Sequence, residues 1–320
     1  MGALSLLQPL PLVDIEPATE TIRELHDLLL EEGLRRLERY PWPGQASHLY
    51  HEPGIVLRFL AGRSNSWRLS AAASVYYAWM RQAQPALWPL WQAFVLCEPV
   101  AVRHLDDRVG RARCLRWQAA GILEAVNGSY VSRVRATPWQ GRLLWHDAPP
   151  GFREGFVFLG ADSLTFARAL SRWLGAHRDV RCQSALDLCT GAGIHALMLA
   201  DVAEDVVGVD LNPRAIAYAR LNAVLQQATH VRFVVSDLFA SVPDHLYELV
   251  VSNTPFLFLP DELRSRCVDG NGGALGIELV LRLIDGLGSR LAPGGTALLH
   301  ANSPLIDGRD VLVDELRAVA

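Results

Sequence analysis

The residues best placed to do chemistry are polar groups that follow apolar runs. In "VVSNTPFLF", residues 250–258, the run breaks off at Asn253 and Thr254 before turning at Pro255 into Phe256. A β-branched run of this kind reads as a buried strand, and an unpaired polar group at its end costs roughly 1–3 kcal/mol. Asn253 therefore needs something to bind. Three acids end earlier runs in the same way: Asp187 in "SALDLCTG", Asp210 in "VVGVDL" and Asp237 in "VRFVVSDLF". Gly191 and Gly193 follow the first of them, with Cys189 and Thr190 between. They permit a tight turn, a close backbone approach to a ligand and a helix start with free N–H groups. Asp210, followed by Leu211 and Asn212, can accept both hydroxyls of a ribose. Asp237, flanked by Ser236 and Leu238, can accept from an adenine amino group while apolar neighbours cover the ring.

Elements that would hold these groups alternate between strand and helix patterns from residue 175 onward. "SALDLCTG", "DVVGVDL", "HVRFVVSDLF", "YELVVSNTPF" and "GGTALLHAN" read as strands. "IHALMLADVA", "PRAIAYARLNAVLQ" and "GIELVLRLIDGLGSRL" read as helices. Asn212-Pro213 caps and opens one of these helices. Such alternation predicts βαβ units, a doubly wound, mostly parallel sheet in the α/β class, and ligands at the carboxyl ends of its strands. His195 is read as a helix N-terminal residue rather than a catalytic base.

Residues 1–150 differ in character. All nine tryptophans lie between Trp42 and Trp173, and "DAPPGFREG" at 147–155 breaks regular structure. The expectation is an N-terminal α+β domain over 1–150 that covers the site and selects the substrate, followed by a cofactor-binding domain over 151–320. In the first domain "TIRELHDLLLEEGLRRLERY" is an amphipathic helix with Thr21 and Glu24 in capping-box spacing, and "SAAASVYYAWMRQA" is a second helix. "YVSRVRA" and "RLLWH" form a ribbon around "TPWQG", preceded by an Asn127-Gly128 turn signal, which makes a winged-helix-like module the expected architecture. The tryptophans are read as core before substrate lid. The cluster of Arg103, Arg108, Arg111, Arg113 and Arg116 is read as a solvated face before a phosphate site.

Composition narrows the class. The chain has 320 residues, 30 basic against 34 acidic, a net charge of −4, and no lysine at all. That is not the strongly basic balance of a protein held to nucleic acid by phosphate contacts. Five cysteines without a C-x-x-C pair argue against zinc and against a disulfide framework, so no metal is expected. The N-terminus lacks a basic flank and no run is long enough for a bilayer, so a cytoplasmic protein without membrane contact is expected.

"DLCTGAG", "GVDLNP", "ARLNA", "SDLF" and "NTPF" together resemble the class I S-adenosylmethionine-dependent methyltransferases. The resemblance is to the small-methyltransferase branch with an N-P-P-[YF] motif, which includes release-factor glutamine and rRNA guanine N2 methyltransferases. "VFLGADSLTFARAL", "DGNGGALGIELVLRLI" and "LAPGG" extend it over about 155–310. It implies a Rossmann-like fold and S-adenosylmethionine as cofactor, with Asp187, Cys189, Thr190, Gly191, Gly193, Asp210, Leu211, Asn212, Ser236, Asp237, Leu238 and Asn253 around it. It also implies that Asn253 and the carbonyl of Thr254 accept from a planar amino group while Phe256 stacks on it, with Pro255 fixing the direction of that carbonyl. Thr254 stands where the family has its first proline, which leaves oxygen and carboxylate acceptors open beside nitrogen. Gly191-Ala-Gly193-Ile-His-Ala196 also fits the dinucleotide pattern G-x-G-x-x-G/A, so a nicotinamide dehydrogenase competes. A carboxylate at Asp187 argues against it, because it would repel a pyrophosphate and favour a sulfonium. From the net charge, the expected acceptor is a small molecule methylated on nitrogen. An RNA base, a protein glutamine and a non-catalytic cofactor-binding assembly role are the alternatives, and the oligomeric state is open.

Overall fold

The computed structural model describes residues 12–33, 78, 81–149, 154–177, 181–259 and 270–319. The chain divides into two compact units, Met1–Gly151 and Phe152–Ala320.

In the first unit α1, Ile15–Glu31, begins before the Thr21 capping box predicted from the sequence. Asp14 occupies its N-cap, and Pro17 falls in the first turn, where its missing N–H breaks no intrahelical bond. Thr21 is therefore internal, and Glu24 accepts from Arg113 and Arg116 instead of capping. Ile15, Ala18, Ile22, Leu25 and Leu29 form its buried stripe. Next come α2 (Trp88–Phe94), β1 (Val100–Ala101), α3 (Val102–Val109), α4 (Arg111–Ala119), β2 (Leu123–Val126) and β3 (Ser129–Ser132). The three strands pair antiparallel in the order β1-β3-β2, which gives this segment the connectivity of a winged-helix module. Its hairpin turns at Asn127 and Gly128, both at positive φ, as a two-residue turn between twisted strands requires. A separate hairpin, β4 (Val134–Trp139) with β5 (Arg142–Asp147), turns at Gln140 and Gly141. The predicted ribbon "YVSRVRA" is thus split between β3 and β4. Trp91, Trp117 and Trp145 are fully buried, and Phe94 meets Trp117 edge-on at 5.3 Å, so these rings are core. Arg108 is salt-bridged to Glu32, and Arg113 and Arg116 are both salt-bridged to Glu24. That leaves the arginine cluster mostly paired within its own unit. The predicted helix over 70–83 falls largely outside the described residues, which include a helical Arg81–Ala83.

The second unit is a doubly wound sheet. α5 (Ala161–Ala176) leads into β6 (Cys182–Leu188), α6 (Ile194–Leu199), β7 (Ala203–Asp210), α7 (Pro213–Leu225), β8 (Val231–Val235) and β9 (Tyr247–Asn253). α8 (Glu278–Leu287), β10 (Leu291–His300), a short hairpin of β11 (Leu305–Ile306) with β12 (Arg309–Asp310), and α9 (Val311–Val319) follow. The five long strands are all parallel, in the order β10-β9-β6-β7-β8. Strands covered on both faces read as continuous apolar runs, and Leu186, Leu188, Val207, Val209, Tyr247 and Val250 accordingly share one core cluster. Chain direction across the sheet reverses between β6 and β9, the place where such sheets open a crevice for ligands. Register then aligns the strand ends: His300 pairs with Asn253, Ser252 with Leu188, Leu188 with Val209, and Asp210 with Val235.

Candidate functional site

Residues 189–193 turn sharply over the end of β6, with Cys189, Gly191 and Gly193 all at positive φ. Only glycine serves at Gly193, whose Cβ would come within 3.1 Å of Ala219 Cβ and 3.3 Å of the Phe233 ring, so helix and sheet close at that point. At Gly191 a Cβ would meet nothing within 4 Å, so the turn borders open space.

Asp187 is fully buried beneath this turn. Its Oδ2 accepts from Thr190 Oγ1 at 2.5 Å and from the backbone N–H of Ala196 at 2.9 Å, while Oδ1 is buried without a partner. Burial pushes its carboxyl up to about 7 against the opposing pull of those two donors. The expected role, a carboxylate facing a cationic ligand, is replaced by an acid that ties the loop to the strand. The electrostatic case drawn from it against a dinucleotide weakens accordingly. Cys189 is likewise driven upward by burial, which keeps it a thiol.

Folding raises the Asp187 pKa, so the native state holds a proton that the unfolded chain has released between about 4 and 7. Stability contributed by this group is full below its ordinary value of 3.8 and is lost as pH rises through about 7. His195 has the opposite sign: burial lowers it to about 4, so its contribution falls as pH drops from 6.5. The two partly cancel in the parent protein. Asp187→Asn isolates the first, and the melting temperature of the variant minus that of the parent is expected to climb from pH 4 to 7 and then level off. A flat difference across that range would place the Asp187 pKa near its unfolded value.

Asp210 ends β7 with both oxygens turned to the loop. Oδ2 accepts from Gly191 N at 2.8 Å and Oδ1 from Asn212 N at 2.9 Å. These two bonds orient the Asp210 carboxylate at the strand end. Asn212 caps α7 by accepting from Arg214 N at 2.9 Å and donates to Gly155 O at 3.3 Å. Leu211 beside it is 55% exposed, an apolar surface at the strand end. Across the sheet, Ser236 N donates to Asp210 O at 2.9 Å, and the buried Ser236 hydroxyl bonds Leu238 O at 2.8 Å. Leu238 is buried, whereas Asp237 is exposed and faces Arg282, with both of its oxygens 3.1 Å from that guanidinium. Surface pairs of this kind contribute only about 0–1 kcal/mol, so a ligand donor can compete for Asp237.

At the end of β9 the Asn253 carboxamide is held from two sides. Its Nδ2 donates to Asp162 Oδ2 at 2.8 Å and Ser163 Oγ at 3.1 Å, and Oδ1 lies 2.6 Å from His300 Nδ1. Thr254 is fully buried; its hydroxyl points inward to Ser252 Oγ at 3.2 Å, and that hydroxyl donates to Leu188 O at 2.8 Å. The departure from the proline pattern thus adds a hydroxyl to the interior and not to the surface at the strand end. Phe256 sits edge-on to His300 at 5.6 Å, and Phe166 stacks on the same imidazole at 5.8 Å. A bridge between Leu257 and Asn271 joins this loop to residues 270–276. A Cβ on Gly276, itself at φ +73, would fall 2.3 Å from Phe256 O, so glycine alone lets the two backbones touch. His195, at the start of α6, is buried and donates from Nε2 to Ser163 O, 3.1 Å away.

Asp187, Asp210, Ser236 and Asn253 therefore lie at one edge of one sheet, and Asp162, Ser163 and His300, which were not assigned from the sequence, join Asn253 there. Open space at Gly191 and the oriented Asp210 carboxylate at the strand end suit a nucleoside-bearing ligand. Among the described residues no group of acids, histidines and cysteines could hold a metal ion, and no helix is long and apolar enough to cross a membrane.

Residues 167–319 match the family described as methyltransferase small domain. The ribosomal protein uL3 glutamine methyltransferase of Xanthomonas campestris is 33% identical over 60% of this chain and 64% of its own length. The release factor glutamine methyltransferase of Koribacter versatilis is 32% identical over 41% of this chain and 50% of its own length. The chain thus spans less than two thirds of either relative. A solved structure of the T. thermophilus 16S rRNA N2 G1207 methyltransferase with AdoMet and guanosine has 21% identity, with a TM-score of 0.38, over 59% of this chain and 53% of that one.

Proposed function

We propose that this chain, whose residues 167–319 match the methyltransferase small-domain family, is an S-adenosylmethionine-dependent methyltransferase whose acceptor is the side-chain amide nitrogen of a protein glutamine. The observation that carries the reading is the Asn253 carboxamide, fixed at the end of β9 by Asp162, Ser163 and His300. One lone pair of Oδ1 meets His300, and the other accepts an N–H from the incoming amide. The Thr254 carbonyl takes the second amide N–H, and Phe256 covers the planar face. Such a set of acceptors recognises a group with two N–H donors, and it stabilises positive charge that grows on nitrogen during transfer.

Asp210 would hold the ribose hydroxyls of the cofactor, Leu211 and Leu238 would flank its base beside Asp237, and the 189–193 turn would lie along its methionine part. When bound, the cofactor supplies an electrophilic methyl group. What this chain adds is alignment, worth up to about 7–11 kcal/mol where nucleophile and methyl are held in line. His195 is unsuited to act as base, since burial holds it at about 4. The first unit is assigned to acceptor recognition.

Names of the relatives, uL3 and release-factor glutamine methyltransferases, support a protein amide over the small molecule expected from the net charge of −4. Net charge averages over a whole surface and carries no information about one pocket. The test uses isolated ribosomal protein and release factor as acceptors, with the modified position located by tandem mass spectrometry. Methyl on a glutamine side chain is the expected result; methyl only on a carboxylate, or none on either protein, contradicts the amide reading.

A further inference from the structure

We propose that His300 and Asp162 are positioning residues that lock the Asn253 amide in one orientation, with Oδ1 presented to the acceptor. The proposal rests on the reading of Asn253 as the acceptor-binding residue. Asp162 Oδ2 lies 2.8 Å from one end of the amide, and a carboxylate can only accept, so that end is Nδ2. Oδ1 then faces His300, 2.6 Å away, which requires the proton of that imidazole on Nδ1. A rotated amide would set its oxygen against the Asp162 carboxylate and its NH2 against the Nδ1 proton. Either contact opposes the turn, and both together fix its sense.

His300 acts through its backbone as well. Its carbonyl accepts from Thr254 N at 3.1 Å, which carries the β9–β10 ladder one residue beyond Asn253. A proline at 254 has no N–H to give, so Thr254 adds a second hold on the acceptor loop in this chain. The imidazole is itself confined, stacked on Phe166 at 5.8 Å and met edge-on by Phe256 at 5.6 Å. One residue therefore fixes the amide, the neighbouring carbonyl and the aromatic cover.

The experiment compares parent, His300→Ala, His300→Asn, His300→Gln and Asp162→Ala as full chains whose folding is checked by thermal melting. Asparagine places an amide N–H as many bonds from Cβ as Nδ1, whereas glutamine places it one bond further. Solvent exchange of the Asn253 side-chain amide protons, assigned by their loss in Asn253→Asp, is read by NMR without any substrate. Exchange should accelerate in His300→Ala and Asp162→Ala and return toward the parent rate in His300→Asn but not in His300→Gln. Methyl transfer to a glutamine acceptor should follow the same order, with kcat down about 10–100-fold in the alanine variants and KM for S-adenosylmethionine unchanged. Parent-like amide exchange in His300→Ala, or equal behaviour of His300→Asn and His300→Gln, overturns the proposal. If the parent orders the amide as described yet methylates no glutamine, the glutamine reading fails and the clamp stands.

Discussion

Asn253→Ala is expected to lower kcat for methyl transfer about 100–1,000-fold, the range seen when one preorganised group facing developing charge is removed. Cofactor affinity should stay close to that of the parent, because the groups assigned to ribose and base lie at the end of β7 and just after β8. Loss of the carboxamide also strips Asp162, Ser163 and His300 of a shared partner. These groups are only part-buried, so water can replace part of what is lost and the cost in stability stays at about 1 kcal/mol for each. A thermal melt run beside single-turnover kinetics separates the two effects. Loss of turnover in a variant that still binds S-adenosylhomocysteine and melts as a cooperative unit identifies Asn253 with the acceptor. Undiminished turnover would remove it from the site.

Asp210→Ala is expected to weaken S-adenosylhomocysteine binding at least about 100-fold, since two charge-assisted hydrogen bonds to a ribose are worth about 1.5–3 kcal/mol each. A second consequence comes from the loop. Gly191 N and Asn212 N both donate to this carboxylate, so its removal frees the 189–193 turn and unseats the start of α7. Asp210→Asn should fare little better, because an amide NH2 must then face one of two backbone N–H donors. Isothermal titration with S-adenosylhomocysteine decides the matter, and parent-like affinity in either variant would move the ribose site away from β7.

Much of the second unit was legible because a buried parallel strand writes itself as a continuous apolar run and polar residues follow directly at its end. Asp187, Asp210, Ser236 and Asn253 were placed at strand ends by that rule, which is where the structure has them, and His300 obeys it too, at the end of "TALLH". It went unassigned because the run was read only as a strand. Asp162 and Ser163 carried a different signal, an acid and a hydroxyl in the first turn of α5, which alone marks only a helix start. Their role depends on α5 meeting β9 across 90 residues of chain, a distance no local pattern encodes. Asp187 shows the converse limit. Its position was evident, but its complete burial, which raises its carboxyl to about 7 against the pull of Thr190 and Ala196, arises only when the chain folds over the strand end. In the first unit the Asn127-Gly128 turn was correctly seen, whereas strand boundaries were misplaced, because residues 130–136 alternate without a break where β3 passes into β4.

The central claim, methyl transfer to a protein amide at Asn253, is tested most directly with S-adenosylmethionine labelled on its methyl group. The purified chain, with Asn253→Ala alongside, is incubated in a cell extract that is then separated into protein, RNA and small-molecule fractions. Label in the protein fraction, recovered as N-methylglutamine after digestion and absent with the variant, is the predicted result. Label confined to RNA or to small molecules would contradict the account, as would label that persists unchanged in the variant.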